Sequence, residues 1–166
     1  MPRSFELGAK ETKQGEVVEV DLKLREPRVK IVEKRDKARE AVNLEDAEAL
    51  VCVGRGLAKK EDLELIQELA RAFKAEIACT KPIATDYQWL SEDRVLGLSG
   101  KRCKPVLCIS VGVSGTIQHV VGMRDSKIIV AINKDPKAEI FKLADYGIVG
   151  DLYKAIPALM EKIKAL

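Results

Sequence analysis

Histidine and closely spaced cysteines are nearly absent from this chain of 166 residues. His119 is the single histidine, and the four cysteines, Cys52, Cys79, Cys103 and Cys108, form no C-x-x-C pair. A structural zinc site needs four such ligands, usually in closely spaced pairs, so the sequence argues against one. Because Cys52, Cys79 and Cys108 lie in or at the end of apolar runs, we expect reduced, buried thiols, as is usual in cytosolic proteins.

The chain also lacks a strong charge of one sign and any long apolar run. Its formal net charge is only +3, its 33% of charged residues include both signs, and no basic run is interleaved with aromatic residues. This balance argues against a nucleic-acid partner. A membrane-spanning helix needs about 20 apolar residues in succession, which the sequence does not contain, and Met1 is followed by polar residues rather than by a signal-peptide pattern. We therefore expect a cytoplasmic protein.

The first 45 or so residues have too few apolar side chains to form a core of their own. The alternation of Val18, Val20, Leu22 and Leu24 with charged residues predicts a half-buried strand. Residues 28–32 fit a second short strand, and a short charged helix follows them.

Strand-like and helix-like patterns alternate from Ala49 onward. Apolar runs predict strands over residues 49–53, 76–79, 94–98, 106–111, 127–132 and 146–149. Helical periodicity predicts a helix over residues 61–74, a short one with Ile117, Val120 and Val121, and a final one that Asp151 can cap. This alternation predicts an α/β fold, with a parallel, doubly wound, Rossmann-like sheet and helices on both faces.

The residues that follow the predicted strands share a chemical character. In open α/β sheets, ligands bind beyond the carboxyl ends of the strands. Glycines, hydroxyls, amides and basic groups collect there, at residues 54–56, 80–81, 97–100, 112–115, 133–135 and 150–151. Glycines allow close approach of the backbone, and hydroxyls and N–H groups bind phosphate oxygens. The set therefore predicts a site for a nucleotide.

A serine hydrolase is the rival interpretation of the stretch around Ser114. The nucleophile elbow has the pattern G-x-S-x-G, but Thr116 stands at the second position after Ser114. His119 lies five residues further along in the same predicted helix, and no other histidine is present to act as a base. These features argue against hydrolysis. A purely structural role for His119 stays open.

Three long stretches resemble the C-terminal, FAD-binding domain of electron-transfer flavoprotein α subunits. They are GVSGTIQH with GMRDSK after it (112–119 and 122–127), AINKDP (131–136) and ADYGIVGDL (144–152), and the resemblance extends from Cys52 to Leu166. It implies a DHS-like NAD/FAD-binding fold for residues 46–166, with residues 1–45 as the tail of an N-terminal domain.

The resemblance implies FAD as the cofactor and a role for each matched residue. Arg55 would contact the pyrophosphate, and Lys81, with Thr80 before it, would stand where the family has an arginine against the flavin ring. Leu96, Gly97, Leu98 and Ser99 would lie along the isoalloxazine, with the Ser99 hydroxyl near N5. The pyrophosphate and ribityl chain would be held at a helix N-terminus by Ser114, Gly115, Thr116, Ile117 and Gln118. His119 would reach the flavin O2 edge, Asn133 the ribose or adenine side, and Asp151 with Leu152 would close over the adenosine.

The family is one of electron carriers rather than enzymes, passing electrons through a flavin semiquinone. The resemblance implies an electron-transfer flavoprotein β subunit as partner, and acyl-CoA-type or other dehydrogenases as electron donors. A simple carrier and a part of an electron-bifurcating complex are both compatible with it. A nucleotide-binding module without redox activity is the alternative from another class, because the same sheet hosts such proteins.

Overall fold

A computed structural model of the chain describes residues 15–21 and 43–164. By its contacts the chain divides into two units, Met1–Lys37 and Ala38–Leu166. Residues 15–21 form no strand, and Val17, Val18 and Val20 are exposed. The predicted strand over residues 18–24 is therefore wrong for its described part, since an alternating segment without a paired neighbour has no ladder to join. The rest of it, the second strand and the charged helix lie outside the described residues.

The second unit is built on a five-stranded sheet in which every paired strand is parallel. The strands are β1 (Ala49–Val53), β2 (Glu76–Cys79), β3 (Leu107–Val111), β4 (Ile128–Asn133) and β5 (Tyr146–Val149), in the order β2-β1-β3-β4-β5. The described helices are α1 (Leu63–Ala72), α2 (Lys81–Thr85), α3 (Ile117–Val120) and α4 (Leu152–Lys164). The predicted doubly wound α/β fold is confirmed.

Alternate residues of the strands build two separate cores. Val51, Val53 and Ile109 point to one face and pack with α1 and α4. Cys52 and Cys108, their neighbours along the strands, point to the other face, where Leu96 and other apolar residues cover them. Successive side chains of a strand alternate between the faces of a sheet, so continuous apolar runs such as β3 are what a sheet covered on both faces requires.

The predicted strand over residues 94–98 is wrong. A 3-10 turn at Glu92–Arg94 and two isolated bridges, Cys79 to Val95 and Leu96 to Lys101, take its place. Gly97 adopts a φ of 140°, and its N–H is bonded to the Lys101 carbonyl at 3.1 Å, so the chain reverses at once and cannot continue along the sheet. The helix α2 was not predicted, because its five residues are too few to show a helical period.

The glycines after β1 and β3 bring two loops into backbone contact. In a sheet of this strand order the topological switch point lies between β1 and β3. Gly56 N–H donates to the Gly112 carbonyl at 2.9 Å. A Cβ at Gly56 would lie 2.5 Å from Gly112 Cα, and Gly112 itself has a φ of 62°. Only glycine permits this approach, and it fixes the floor of the crevice at the switch point.

Candidate functional site

A groove runs along the carboxyl edge of the sheet as three adjoining clefts. The inner cleft, of about 190 Å³, and the middle cleft, of about 470 Å³, share Thr80, Pro82 and Thr116. The middle cleft and the outer cleft, of about 270 Å³, share Gly56, Gly112 and Asn133. The groove thus passes over the switch point of the sheet, where an extended ligand is expected in this fold.

The start of α2, the loop that follows α2 and the helix α3 form the inner cleft. Its lining includes Lys81, Leu96, Gly97, Ser99, Gln118 and His119. Two glycines lock the loop onto α3: a Cβ at Gly97 would lie 2.4 Å from the Gln118 carbonyl oxygen, and one at Gly122 would lie 2.3 Å from Gly97 N. Leu98 N–H also donates to the Gln118 carbonyl at 2.8 Å. The position of this cleft is therefore set by backbone packing.

The imidazole of His119 is buried, with protein atoms at both ring nitrogens. Nδ1 lies 3.0 Å from the Leu96 carbonyl oxygen, and Nε2 lies 3.4 Å from Cys52 Sγ. Burial lowers the pKa of His119 from its usual 6.5, against a smaller opposing effect of the Leu96 carbonyl. Neither ring nitrogen is bonded to the hydroxyl of Ser114. The geometry therefore gives no support to the serine–histidine pair of a hydrolase.

Loops after β1, β3 and β4 line the middle cleft. Arg55 and Lys137 bring positive charge, while Asp135 and Glu139 bring negative charge. Glu139 is paired with Lys142 at 2.8 Å. The charge of this cleft is therefore mixed, and a phosphate there would depend on hydroxyls and backbone N–H groups such as those near Ser114. The helix α3 has a single turn, so its dipole adds little.

One polar atom at the junction of the inner and middle clefts has no partner. The Thr80 hydroxyl oxygen is buried and makes no hydrogen bond to any described residue. A buried hydroxyl without a partner costs roughly 1–3 kcal/mol. Thr80 also lines both clefts, so a polar ligand atom in the groove would satisfy it.

Side-chain hydrogen bonds organise the outer cleft. Asn133 Nδ2 donates to the Val113 carbonyl at 2.7 Å, and its Oδ1 accepts from Asp135 N at 3.0 Å. Asp151 Oδ1 accepts from Tyr153 N at 3.0 Å, which confirms Asp151 as the cap of α4. These bonds join the loops after β3 and β4 and fix the first turn of α4.

Tyr153 also pins the loop after β1. Its hydroxyl accepts from Ala58 N at 2.9 Å and donates to Asp62 Oδ2. Partial burial and, next, the bond to Asp62 raise the pKa of Tyr153. The tyrosine thus connects the loop, the start of α1 and the start of α4 beside the outer cleft.

Most residues predicted for the site line this groove. Thirteen positions do so: Arg55, Thr80, Lys81, Leu96, Gly97, Ser99, Ser114, Thr116, Gln118, His119, Asn133, Asp151 and Leu152. Leu98, Gly115 and Ile117 do not appear in its lining. Leu98 and Ile117 are 55% and 77% exposed, and Gly115 packs so closely on the backbone of Ile140 that a Cβ would clash.

Sequence reasoning missed Cys52, Lys137, Glu139 and Tyr153. Lys137 and Glu139 lie beyond the residues that directly follow β4, and Tyr153 lies inside α4. The rule that ligands bind beyond the carboxyl ends of the strands therefore does not identify them. Cys52 was interpreted only as a buried thiol in β1. The pattern holds no signal for its contact with His119, which depends on the fold.

The four cysteines are buried, as predicted, and none of them forms a disulfide. Burial raises the pKa of Cys79 and Cys108 to about 12 and that of Cys103 to about 11. Burial raises the pKa of Cys52 as well, so none of these thiols is poised as a nucleophile. Within residues 15–21 and 43–164, no metal-ligating cluster is found, and no helix is long and apolar enough to cross a membrane.

Comparison with known proteins gives a consistent result. Residues 43–124 match the family model described as the electron transfer flavoprotein FAD-binding domain. A putative electron transfer flavoprotein subunit, YdiR of Escherichia coli K12, is 48% identical over 131 residues, which are 79% of this chain and 42% of that protein.

Two further relatives agree with this match. The electron transfer flavoprotein subunit alpha of Thermoanaerobacterium thermosaccharolyticum is 43% identical over 158 residues, 94% of this chain and 48% of that protein. Protein FixB of Escherichia coli O139:H28 is 46% identical over 136 residues, 81% of this chain and 44% of that protein. The chain thus spans less than half the length of these curated relatives.

Proposed function

The chain belongs to the electron transfer flavoprotein α family, and from this premise we propose that residues 46–166 bind one FAD and use it to carry electrons. The observation that carries the proposal is the row of three clefts along the carboxyl edge of the sheet. An extended dinucleotide needs a ring site, a phosphate site and a nucleoside site in succession. The groove supplies three such spaces in one line.

The inner cleft is the proposed flavin site. Its lining combines the apolar residues Leu96 and Gly97 with the polar residues Ser99 and Gln118. Lys81, at the start of α2, adds one positive charge near the ring. A lysine keeps that charge but lacks the planar guanidinium that can lie flat on an aromatic ring, so we expect Lys81 to act as a point charge.

The middle cleft is the proposed pyrophosphate site. Hydroxyls of Ser114 and Thr116 and the cation of Arg55 line it. The unpartnered Thr80 hydroxyl supports the fit of a polar ligand, because an oxygen of the cofactor chain at this junction would complete its hydrogen bonding. Glycines at positions 56 and 112 keep the floor of this cleft free of side chains.

The outer cleft is the proposed adenosine site. Among the described residues, Asn133 leaves one N–H and one lone pair unused after its bonds to Val113 and Asp135, and these can meet ribose hydroxyls or adenine nitrogens. Asp151 retains its second carboxylate oxygen for a hydroxyl. Both side chains are already held in place, so binding loses little further rotamer freedom.

Bound flavin would supply one-electron and two-electron redox chemistry. The chain contributes the environment: it places the buried His119 beside the inner cleft and puts the Lys81 cation at its rim. Such fixed dipoles and charges act most strongly where water is excluded. They are the means by which this domain would set the potential of its cofactor.

We propose an electron-transfer flavoprotein β subunit as the partner, and acyl-CoA-type or other dehydrogenases as donors. The relatives named as electron transfer flavoprotein subunits support this assignment. An electron carrier needs a surface near its cofactor on which another protein can dock. Leu98 and Ile117 have exposed apolar side chains, and their chain neighbours line the inner cleft. A nucleotide-binding module without redox activity is not favoured by the family match.

Flavin titration of the purified chain tests the function. We expect FAD to bind near one per chain and FMN to bind more weakly, because only FAD reaches the outer cleft. Fluorescence quenching of each flavin gives both affinities. Ser114→Ala should weaken FAD binding by about tenfold, the effect of one lost hydrogen bond to a charged phosphate. Equal affinities for FAD and FMN would contradict the proposed use of the groove.

A further inference from the structure

Cys52 lies behind the inner cleft, in direct contact with His119. The cysteine is fully buried in β1, and its Sγ stands 3.4 Å from Nε2 of the imidazole. The opposite nitrogen, Nδ1, stands 3.0 Å from the carbonyl oxygen of Leu96. The imidazole is 5% exposed. Strand β1 and the loop between α2 and β3 therefore hold one ring between them.

The carbonyl of Leu96 decides which nitrogen carries the proton. A carbonyl oxygen only accepts hydrogen bonds. An unprotonated Nδ1 at 3.0 Å from it would set two lone pairs against each other, so Nδ1 carries the hydrogen and donates it. In the neutral ring Nε2 is then an acceptor, and the atom that faces it, Cys52 Sγ, must be the donor.

The thiol is suited to that task. Burial raises the pKa of Cys52 well above its usual value, and three neighbouring thiols, Cys108, Cys79 and Cys103, raise it further. Cys52 is therefore a thiol rather than a thiolate. A thiol is a weak donor, but both atoms are buried, and a low local dielectric strengthens such a bond.

We propose that Cys52 is a positioning residue of the inner cleft, whose thiol donates a hydrogen bond to Nε2 and so holds His119 as the neutral imidazole protonated on Nδ1. The proposal rests on the proposed function for its bearing on the flavin, but the hydrogen bond itself belongs to the chain alone. Nothing in the family resemblance assigns a role to Cys52.

The arrangement restricts what His119 can do. With both nitrogens occupied, the ring offers no free N–H to the inner cleft. To donate from Nε2 to a group in the cleft, the imidazole must gain a proton and release the thiol of Cys52. The titratable groups on this side of the sheet are Cys52 on β1, the thiols of Cys103 and Cys108, which share the core of Cys52, and the ammonium of Lys81, which lines the same cleft. A nearby ammonium also opposes that protonation.

The single histidine makes the test direct. In the 15N-labelled full chain without flavin, long-range 1H–15N spectra report both ring nitrogens of His119. We expect a protonated Nδ1 and a hydrogen-bonded, unprotonated Nε2. Cys52→Val removes the donor and fills the space, so the Nε2 resonance should move to the position of a nitrogen without a donor, and the titration midpoint of His119 should rise. Cys52→Thr, nearly the same shape with a hydroxyl, should restore the wild-type pattern.

Cys108→Ala is the control, because it removes another fully buried thiol of the same core and should leave both nitrogen resonances unchanged. If the larger side chains prevent folding, Cys52→Ala and Cys52→Ser give the same contrast. A wild-type spectrum with the proton on Nε2, or equal spectra for the donor and non-donor variants, would overturn the proposal. Because no flavin is present, either result leaves the flavin titration as a separate test of the function.

Discussion

The inner and outer ends of the groove are held in different ways. At the inner end, the loop carrying Gly97 and the turn after α3 that carries Gly122 touch through their backbones, and a buried imidazole is fixed from both sides. At the outer end, the half-buried Asn133 and the exposed Tyr153 tie the loops together through side-chain hydrogen bonds. Gly150 at this end has open space around it.

The difference predicts that the two ends of the groove respond differently to substitution. Closely packed backbone segments cannot move apart to accommodate a larger side chain. A substitution at the inner end should therefore lower the stability of the fold and change the shape of the cleft. Hydrogen bonds at an exposed end exchange with water when they are lost, so changes there should cost little. We therefore expect the ring site to be rigid and the nucleoside site to be adjustable.

The largest expected effect comes from exchanging one glycine at each end for alanine. A Cβ at Gly122 would lie 2.3 Å from Gly97 N, whereas a Cβ at Gly150 would meet nothing within 4 Å. Gly122→Ala should lower the free energy of unfolding by about 3 kcal/mol through overpacking, and Gly150→Ala by less than about 0.5 kcal/mol. Urea denaturation measures both. Similar values for the two variants would remove the distinction between the ends.

The second effect concerns pH and sharpens the account of the inner end. Burial lowers the pKa of His119 below 6.5 in the folded chain, so the unfolded chain binds a proton that the folded chain does not. Stability should therefore fall as the pH drops below about 6.5, by at most about 1.4 kcal/mol per pH unit.

The measurement compares wild type with His119→Gln by urea denaturation at several pH values. The variant lacks the titrating group, so its stability should depend less steeply on pH in this range. The comparison uses slopes rather than absolute values, because the substitution itself disturbs a buried site. Parallel curves for the two proteins would mean that the imidazole keeps an ordinary pKa.

The third effect tests the outer end. Asn133→Ala removes the donor to the Val113 carbonyl and the acceptor for Asp135 N. We expect FAD affinity to fall about tenfold, or about 1.4 kcal/mol, while FMN affinity changes less, because FMN lacks the nucleoside. Asn43→Ala is the control, because Asn43 is an exposed asparagine whose side chain is bonded to nearby Asp46. Equal losses for FAD and FMN would place Asn133 away from the adenosine.

The smallest expected effect is that of the Tyr153 hydroxyl. Tyr153→Phe removes the bonds to Ala58 N and Asp62, which at an exposed site stabilise by roughly 0.5 kcal/mol. Hydrogen exchange at the Ala58 amide should become faster, with FAD affinity reduced by only a few-fold. Tyr146→Phe, an exposed tyrosine on β5, provides the comparison. An unchanged Ala58 amide would show that the loop is held by other contacts.

The sheet was predictable because its strands are covered on both faces. Apolar runs such as residues 49–53 and 76–79 match β1 and β2 to the residue. The exception, residues 94–98, has a strand-like composition, but the positive φ of Gly97 and the contact of Gly97 with α3 turn the chain aside. Such a contact between distant segments leaves no mark in a local pattern.

The groove was predictable at the strand ends and less so elsewhere. Glycines and hydroxyls after β1 and β3 were found by the rule that ligands bind at carboxyl ends of strands. Tyr153 and Cys52 escaped it because one lies within a helix and the other within a strand. The partners of His119 are 23 and 67 residues away along the chain, so only the folded chain shows them.

The strand order also governs when the groove can form. The pairing of Ala49 with Leu107 joins β1 to a strand that follows about 60 residues later, a contact of high sequence separation that forms slowly. During synthesis β1 and β2 leave the ribosome well before β3, so one edge of β1 is unpaired in the meantime. A ligand can therefore bind in the groove only after the later half of the chain has been synthesised. The open edge of β1 is where wrong pairing with another chain would begin.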